Sequence, residues 1–187
     1  SNTLLAAFGG ELRFLIIGGA ALNEEVEKCM KDMHFPYCVG YGMTECAPLV
    51  TYEDWYKYVY RSCGKGIVGM EMRIDSEDPA TKEGELQLRG VNVMMGYYKD
   101  DELTAQVIDA DGWFHTGDLG RFTDKGQLVL VGRLKNIFKT SYGKYVNPQL
   151  IEEKFSESPF IENIVVVGEN QKYAAALISP EFAFLEC

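Results

Sequence analysis

The sequence predicts a mixed α/β (α+β) fold: a strand–helix–strand unit, then an antiparallel, barrel-like sheet, then the start of a small α/β module. Three observations predict it. Residues 12–17 form a nearly continuous apolar run closed by Gly18-Gly19, with a helical pattern and a second strand-like run behind it. Residues 65–131 break into short strand-like segments separated by turn residues. Beyond residue 133 a single helix pattern is followed by two apolar runs.

Taken in order, Leu4 to Phe8 is a short apolar segment closed by Gly9-Gly10. Leu12-Arg13-Phe14-Leu15-Ile16-Ile17 has the length and continuity of a strand buried on both faces, as in a parallel sheet. Asn23 is a good N-cap, and Glu24 and Glu25 sit in the first turn, where the helix dipole favours acids. Val26, Met30 and Met33 then recur at helical spacing, and Tyr37-Cys38-Val39-Gly40 reads as the next strand. Ligands of such sheets bind beyond the carboxyl ends of the strands, where the glycine turns at 18–20 and 40–42 fall.

Strands are predicted next at Ile67-Val68-Gly69, Met72-Arg73-Ile74, Glu85 to Arg89, Trp113 to Phe122 and Leu128 to Val131, with one short helix from Asp100 to Val107. Gly132 to Lys139 is strand-like. Pro148 fits the first turn of a helix capped by Asn147, with Leu150, Ile151, Lys154 and Phe155 on its apolar face. Ile161 to Val167 and Tyr173 to Ile178 read as the last strands. The expected division is 1–132 for a larger domain and 133–187 for a hinge and an incomplete smaller one.

Length and composition set bounds on function. With 187 residues, 47% hydrophobic and 25% charged, the chain suits a globular protein with a sizeable core. A formal net charge of −10 argues against a nucleic-acid partner, which needs a basic footprint, and against anionic membrane surfaces. It leaves room for an anionic nucleotide, because local donors and a metal outweigh a global field. The five cysteines form no C-x-x-C pair and no zinc ligand pattern, and their wide spacing suits a reducing, cytoplasmic compartment. No apolar run approaches membrane-spanning length.

Certain stretches have the residue types of a nucleotide site. In Tyr41-Gly42-Met43-Thr44-Glu45 an aromatic ring offers a stacking face, and the glycine lets a planar ligand approach the backbone. The threonine hydroxyl can bond a phosphate oxygen, and the glutamate can hold Mg²⁺ shared with substrate phosphates. Taken alone, a strand-to-loop turn with a solvated glutamate explains this pentapeptide slightly better. Asp118 can accept hydrogen bonds from adjacent ribose hydroxyls or simply cap a hairpin turn. Arg133 can add a charge-assisted bond to ribose or phosphate, or form a surface salt bridge worth little. His115 suits packing or capping better than base catalysis. Gly18-Gly19-Ala20 lies in no G-x-G-x-x-G fingerprint.

Tyr-Gly-Met-Thr-Glu (41–45), Gly-Glu-Leu-Gln-Leu-Arg-Gly (84–90), Met-Gly-Tyr-Tyr-Lys (95–99), Gly-Trp-Phe-His-Thr-Gly-Asp (112–118) and Gly-Arg-Leu-Lys (132–135) occur in this order. Each is weak alone, but the ordered set resembles the adenylate-forming, AMP-binding superfamily over nearly the whole chain. The run from Phe138 through Val146, then Pro148-Gln149 and Ile151-Glu152, is most similar to long-chain fatty-acid–CoA ligases, and 165–168 and 175–178 point the same way.

The resemblance implies a large adenylate-forming domain followed by the start of a small one. It implies ATP and AMP, Mg²⁺ and coenzyme A as cofactors and substrates, with a fatty acid as the acid. Carried over by motif, Gly19 and Ala20 line the adenine and acyl pocket, and Tyr41 and Gly42 meet adenine. Thr44 contacts phosphate, Glu45 binds Mg²⁺, and Asp118 holds the ribose hydroxyls with Arg133. Lys135 is the hinge, and the loop at Gly143 approaches the pantetheine path.

The family's phosphate loop and its C-terminal adenylation lysine do not occur in the sequence. The expectation is therefore an internal or C-terminal fragment, inactive alone and prone to self-association. Tyr142 stands where these ligases often have glycine. The expected location is cytoplasmic, with peripheral membrane association open to the full-length enzyme. The competing readings are a non-catalytic AMP/ATP-binding or interaction module and an adenylating enzyme for another carboxylic acid.

Overall fold

A computed structural model describes residues 2–78 and 82–184, with side chains described for residues 5–78 and 82–183. Cys187 lies outside the described residues. The chain divides into two compact units: Ser1–Thr116 with Gly120–Leu130, and Gly117–Leu119 with Val131–Cys187.

The first unit begins with α1 (Asn2–Ala7), β1 (Leu15–Ile17), α2 (Glu24–Asp32) and β2 (Tyr37–Val39). Strands β1 and β2 pair in parallel, with Leu15 opposite Tyr37 and Ile17 opposite Val39. Asn23 caps α2 as its chemistry predicts: its Oδ1 accepts the Glu25 and Val26 N–H groups at 2.9 and 3.1 Å. On one face Phe35, Tyr37 and Val39 pack with Leu15, Ile17 and Met30, and on the other Cys38 of β2 is fully buried. The expected burial of β1 on both faces is not met. Ile16 points the other way and is 46% exposed, because side chains of a strand alternate between faces.

The inward face of α2 also differs from its apolar pattern. Val26 is exposed, and the buried residue is Glu27. Its carboxylate accepts the Tyr58 hydroxyl at 2.7 Å and the Arg61 N–H at 3.0 Å, and pairs with the Arg61 guanidinium at 3.3 Å. A buried charge persists only when its lone pairs are satisfied in this way. Burial first, and then the bond to Glu27, holds the Tyr58 hydroxyl far above the ordinary phenol range, so it remains a donor.

The chain then forms β3 (Tyr41–Gly42), β4 (Leu49–Tyr52) and β5 (Lys65–Gly66), an antiparallel sheet ordered β3-β4-β5. The strand expected at Ile67-Val68-Gly69 is instead a turn. Gly69 takes φ +84°, Val68 is fully exposed, and the Met70 N–H closes onto the Ile67 carbonyl at 3.0 Å. Next come β6 (Met70–Asp75), β7 (Gly84–Gly90), α3 (Asp101–Val107), β8 (Phe114–Phe122) and β9 (Leu128–Arg133). The sheet order is β6-β7-β8-β9. The expected barrel-like closure is absent: among the described residues this is an open sheet of four strands. Its inner face carries Ile74, Leu86, Leu88, Phe114 and Leu128, packed with Tyr41, Cys46 and Val50. Leu86, Leu88 and Leu128 are fully buried, each contributing about 1.5–3 kcal/mol.

The second unit continues with β10 (Phe138–Lys139), β11 (Tyr145–Val146), α4 (Pro148–Ser156), β12 (Ile161–Val167) and β13 (Ala175–Pro180). The expected strand from Gly132 to Lys139 is interrupted by a 3₁₀ turn at Leu134–Asn136. Gly132, at φ +155°, leaves room that a Cβ would fill 2.5 Å from the Asn147 side-chain nitrogen. Contrary to the expected capping role, the Asn147 side chain makes no capping bond to α4. Its Nδ2 donates to the Val131 carbonyl at 3.0 Å, and Pro148 alone marks the helix start. Among the described residues, no helix is long and apolar enough to cross a membrane.

Candidate active site

In the first unit, the turns that follow β1 and β2 leave side by side. The Gly40 N–H donates to the Ile17 carbonyl at 2.9 Å, and a Cβ on Gly18 would lie 3.4 Å from the Gly40 carbonyl. Gly19, at φ +92°, and Ala20 are therefore brought to the same end of the sheet as Tyr41 and Gly42. Both Gly19 and Ala20 are exposed. Gly42 is required by the fold itself, since a Cβ there would meet the Pro48 carbonyl oxygen at 2.2 Å.

Tyr41 is only 9% exposed and packs into the main core cluster. Its backbone N–H donates to Thr51 Oγ1 at 3.1 Å, and that hydroxyl donates in turn to the Cys63 carbonyl at 2.5 Å. The buried Thr51 hydroxyl thus fixes the register shift between Tyr41 and Gly42.

Thr44 to Cys46 forms a 3₁₀ turn directly after β3. Thr44 is exposed and Glu45 half-buried. The segment 90–97 holds this turn from outside. The Met94 N–H donates to the Glu45 carbonyl at 2.7 Å, and Asn92 Nδ2 donates to the carbonyls of Cys46 and Leu49 at 2.8 and 2.9 Å. The Tyr97 hydroxyl donates to Glu45 Oε1 at 3.0 Å. Burial first, and then this bond, raises the Tyr97 hydroxyl above its ordinary range. Burial, and then the charge of Glu45, pushes the neighbouring Cys46 thiol up to about 11, so it is protonated at neutral pH and a poor nucleophile.

In the second unit, Asp118 is 6% exposed, and the exposed Arg133 donates from Nε to its Oδ1 at 2.6 Å. The pair joins β8 to the end of β9, immediately before the 3₁₀ turn that carries the exposed Lys135. Gly143 takes φ +80° in the turn between β10 and β11, where its N–H donates to the Thr140 carbonyl at 2.8 Å. Tyr142 is exposed, its ring 6.3 Å from that of Tyr173.

The sheet β6-β7-β8-β9 carries a polar network around His115 of β8. His115 Nδ1 lies 2.9 Å from Glu85 Oε2, and Nε2 lies 3.6 Å from Asp109 Oδ2. The guanidinium groups of Arg73 and Arg89 both lie over the Trp113 ring, at 4.1 and 4.5 Å from the ring centroid. The N–H groups of Trp113 and Asp111 donate to Asp109 Oδ1 at 2.8 and 2.9 Å, holding that carboxyl below the usual range. His115 is thus tied into a network of carboxylates.

Gly19, Ala20, Tyr41, Gly42, Thr44 and Glu45 fall within the first unit, and Asp118, Arg133, Lys135 and Gly143 within the second. Sequence reasoning missed Thr51 and Tyr97. Tyr97 lies within the quoted Met-Gly-Tyr-Tyr-Lys, but two adjacent tyrosines look alike in sequence, and only the structure separates Tyr97 from the 88% exposed Tyr98.

Comparison with known proteins decides the family. Residues 3–98 match the AMP-binding enzyme family, and residues 135–186 match the AMP-binding enzyme C-terminal domain. The chain belongs to the AMP-binding enzymes. Among relatives, fatty acyl-CoA synthetase A of Dictyostelium discoideum is 32% identical, over 95% of this chain and 28% of its own length. Long-chain-fatty-acid–CoA ligase 4 of Saccharomyces cerevisiae is also 32% identical, over 96% of this chain and 27% of its own length. The chain thus spans about a quarter of these AMP-binding relatives.

Of solved structures, an ATP-bound RpMatB-BxBclM chimera superposes with a TM-score of 0.81 and 26% identity, over 98% of this chain and 38% of its own. The o-succinylbenzoate CoA synthetase of Bacillus subtilis, in complex with its acyl-adenylate intermediate, gives 0.80 at 23% identity, over 96% of this chain and 40% of its own. The likeness to the latter is one of fold.

Proposed function

We propose that this chain is part of a long-chain fatty-acid–CoA ligase, with residues 1–132 in its large domain and 133–187 beginning its small one. The observation that supports the acid class is the run of long-chain ligases among the relatives, such as those of yeast and rat, which match 89–100% of the chain. In the proposed reaction a fatty-acid carboxylate oxygen attacks the α-phosphorus of ATP. The acyl–O–P bond forms, the bond to the β-phosphate oxygen breaks, and pyrophosphate leaves. The sulfur of coenzyme A then attacks the acyl carbonyl carbon, its proton is lost, and AMP leaves with the former carboxylate oxygen.

The chain's residues take the following roles. Tyr41 and Gly42, with Gly19 and Ala20, meet adenine and the acyl end. Thr44 donates to a phosphate oxygen. Asp118, oriented by Arg133, accepts from the ribose hydroxyls; it is buried, and its bond to Arg133 holds it as a directed acceptor. Lys135 serves as the hinge, and the turn at Gly143 meets the pantetheine arm in the second step. Glu45 fits Mg²⁺. Its Oε2 makes no hydrogen bond among the described residues, and a hard cation that keeps phosphate oxygens needs few protein carboxylates. Bound there, the cation supplies neutralisation of phosphate charge. Catalysis of this kind is mostly positioning and charge stabilisation, which fixed side chains can deliver.

Pyrophosphate exchange into ATP tests the acid class. The intact protein is expected to exchange with long-chain fatty acids and to show far less exchange with aryl acids or amino acids. Preference for an aryl or amino acid would replace the substrate assignment. Failure to exchange with any acid, with AMP binding retained, would favour a non-catalytic module.

A further inference from the structure

We propose that Tyr97 is a positioning residue for Glu45, fixing the carboxylate so that Oε2 faces the divalent cation. The inference rests on the reading of Glu45 as the metal ligand. The Tyr97 hydroxyl holds Oε1 at 3.0 Å, while Oε2 makes no hydrogen bond among the described residues. One oxygen is thus committed and the other is left for a ligand.

The bond is not needed to tie the two segments together. The backbone of Met94 and the side chain of Asn92 already clamp the 3₁₀ turn and Leu49 at the start of β4, through three bonds of 2.7–2.9 Å. What the tyrosine adds is the orientation of the carboxylate. The tyrosine is itself held: its N–H donates to Thr104 Oγ1 at 2.9 Å, and that hydroxyl donates to the Asp100 carbonyl at 2.8 Å. Between them Gly96 sits at φ +150°, where a Cβ would press on the Thr104 side chain at 2.8 Å. Helix α3, through Thr104, therefore supports a tyrosine that supports a carboxylate. Partners of this kind orient metal ligands, and their loss typically costs about 10–100-fold in metal affinity.

The test is calorimetric and needs no turnover. ATP binding to the intact protein is measured with Mg²⁺ and with EDTA, in the absence of any acid substrate. The ratio of the two affinities reads the contribution of the cation. Glu45→Gln is expected to abolish the enhancement by Mg²⁺, and Tyr97→Phe to cut it about tenfold, while Tyr98→Phe leaves it unchanged. All three variants should keep the far-ultraviolet circular dichroism of the parent.

A Glu45→Gln protein with the full enhancement would remove Glu45 as the metal ligand, and the inference with it. Loss in Glu45→Gln with full enhancement in Tyr97→Phe would overturn the inference alone. If Tyr97→Phe fails to fold, Thr104→Val decides: a reduced enhancement supports the role of the tyrosine, and the parent value refutes it.

Discussion

At the scale of single residues, the two carboxylates of the proposed site are held in different ways. Asp118 is buried and takes its bond from the charged guanidinium of an exposed arginine, while Glu45 is half-buried and takes its bond from an uncharged phenol. The first arrangement fixes a charge against one direction, which suits a repeated acceptor role. The second leaves more of the carboxylate accessible, which suits a cation. Asp118→Asn keeps the shape and removes the charge. The expected result is a roughly hundredfold loss of pyrophosphate exchange, on the scale of one lost transition-state contact of about 3 kcal/mol, with the fold intact by circular dichroism. Unchanged exchange would remove Asp118 from the site.

Legibility from sequence follows the same division. Asn23 and Gly69 act within a few residues of themselves, so their chemistry is local, although the apolar Ile67 and Val68 make the turn at Gly69 read as a strand, whereas Asp118 takes its bond from Arg133, 15 residues away. Tyr97 is different, because its partner lies 52 residues away in the chain. Nothing local distinguishes it from Tyr98.

At the scale of elements, the turn between α3 and β8 shows how a tight loop sets a pH limit. The N–H groups of Trp113 and then Asp111 bond the Asp109 carboxylate, and His115 approaches it from β8. The folded pKa of Asp109 is thereby depressed below its unfolded value of about 3.9. The stability it confers is complete above that unfolded value and is lost as pH falls through the folded one. Asp109→Asn should therefore flatten the fall in stability below about pH 4, as read by urea unfolding at a series of pH values. A parent-like acid slope in the variant would contradict the role of the turn.

Element-level reading failed where tertiary contacts won. Asn147 has the chemistry of an N-cap, yet its amide bonds to Val131, and Val26 has the spacing of a core residue, yet Glu27 takes the interior. Capping and apolar periodicity are local signals, and neither carries information about Tyr58, Arg61 or Gly132.

At the scale of the whole molecule, both compact units carry segments of the AMP-binding family, each with its own share of the proposed residues. The order of motifs makes that family legible in the sequence itself. The open sheet was not legible: alternating strands with glycine turns suit a barrel and an open sheet equally, and closure depends on pairing between the first and last strands. The central claim is an AMP-forming ligation of a fatty acid to coenzyme A. The most direct measurement is the product balance of the intact protein given ATP, Mg²⁺, a long-chain fatty acid and coenzyme A. One AMP and one pyrophosphate released for each acyl thioester formed is the predicted result; ADP and phosphate in their place, or AMP formed without any thioester, would contradict it.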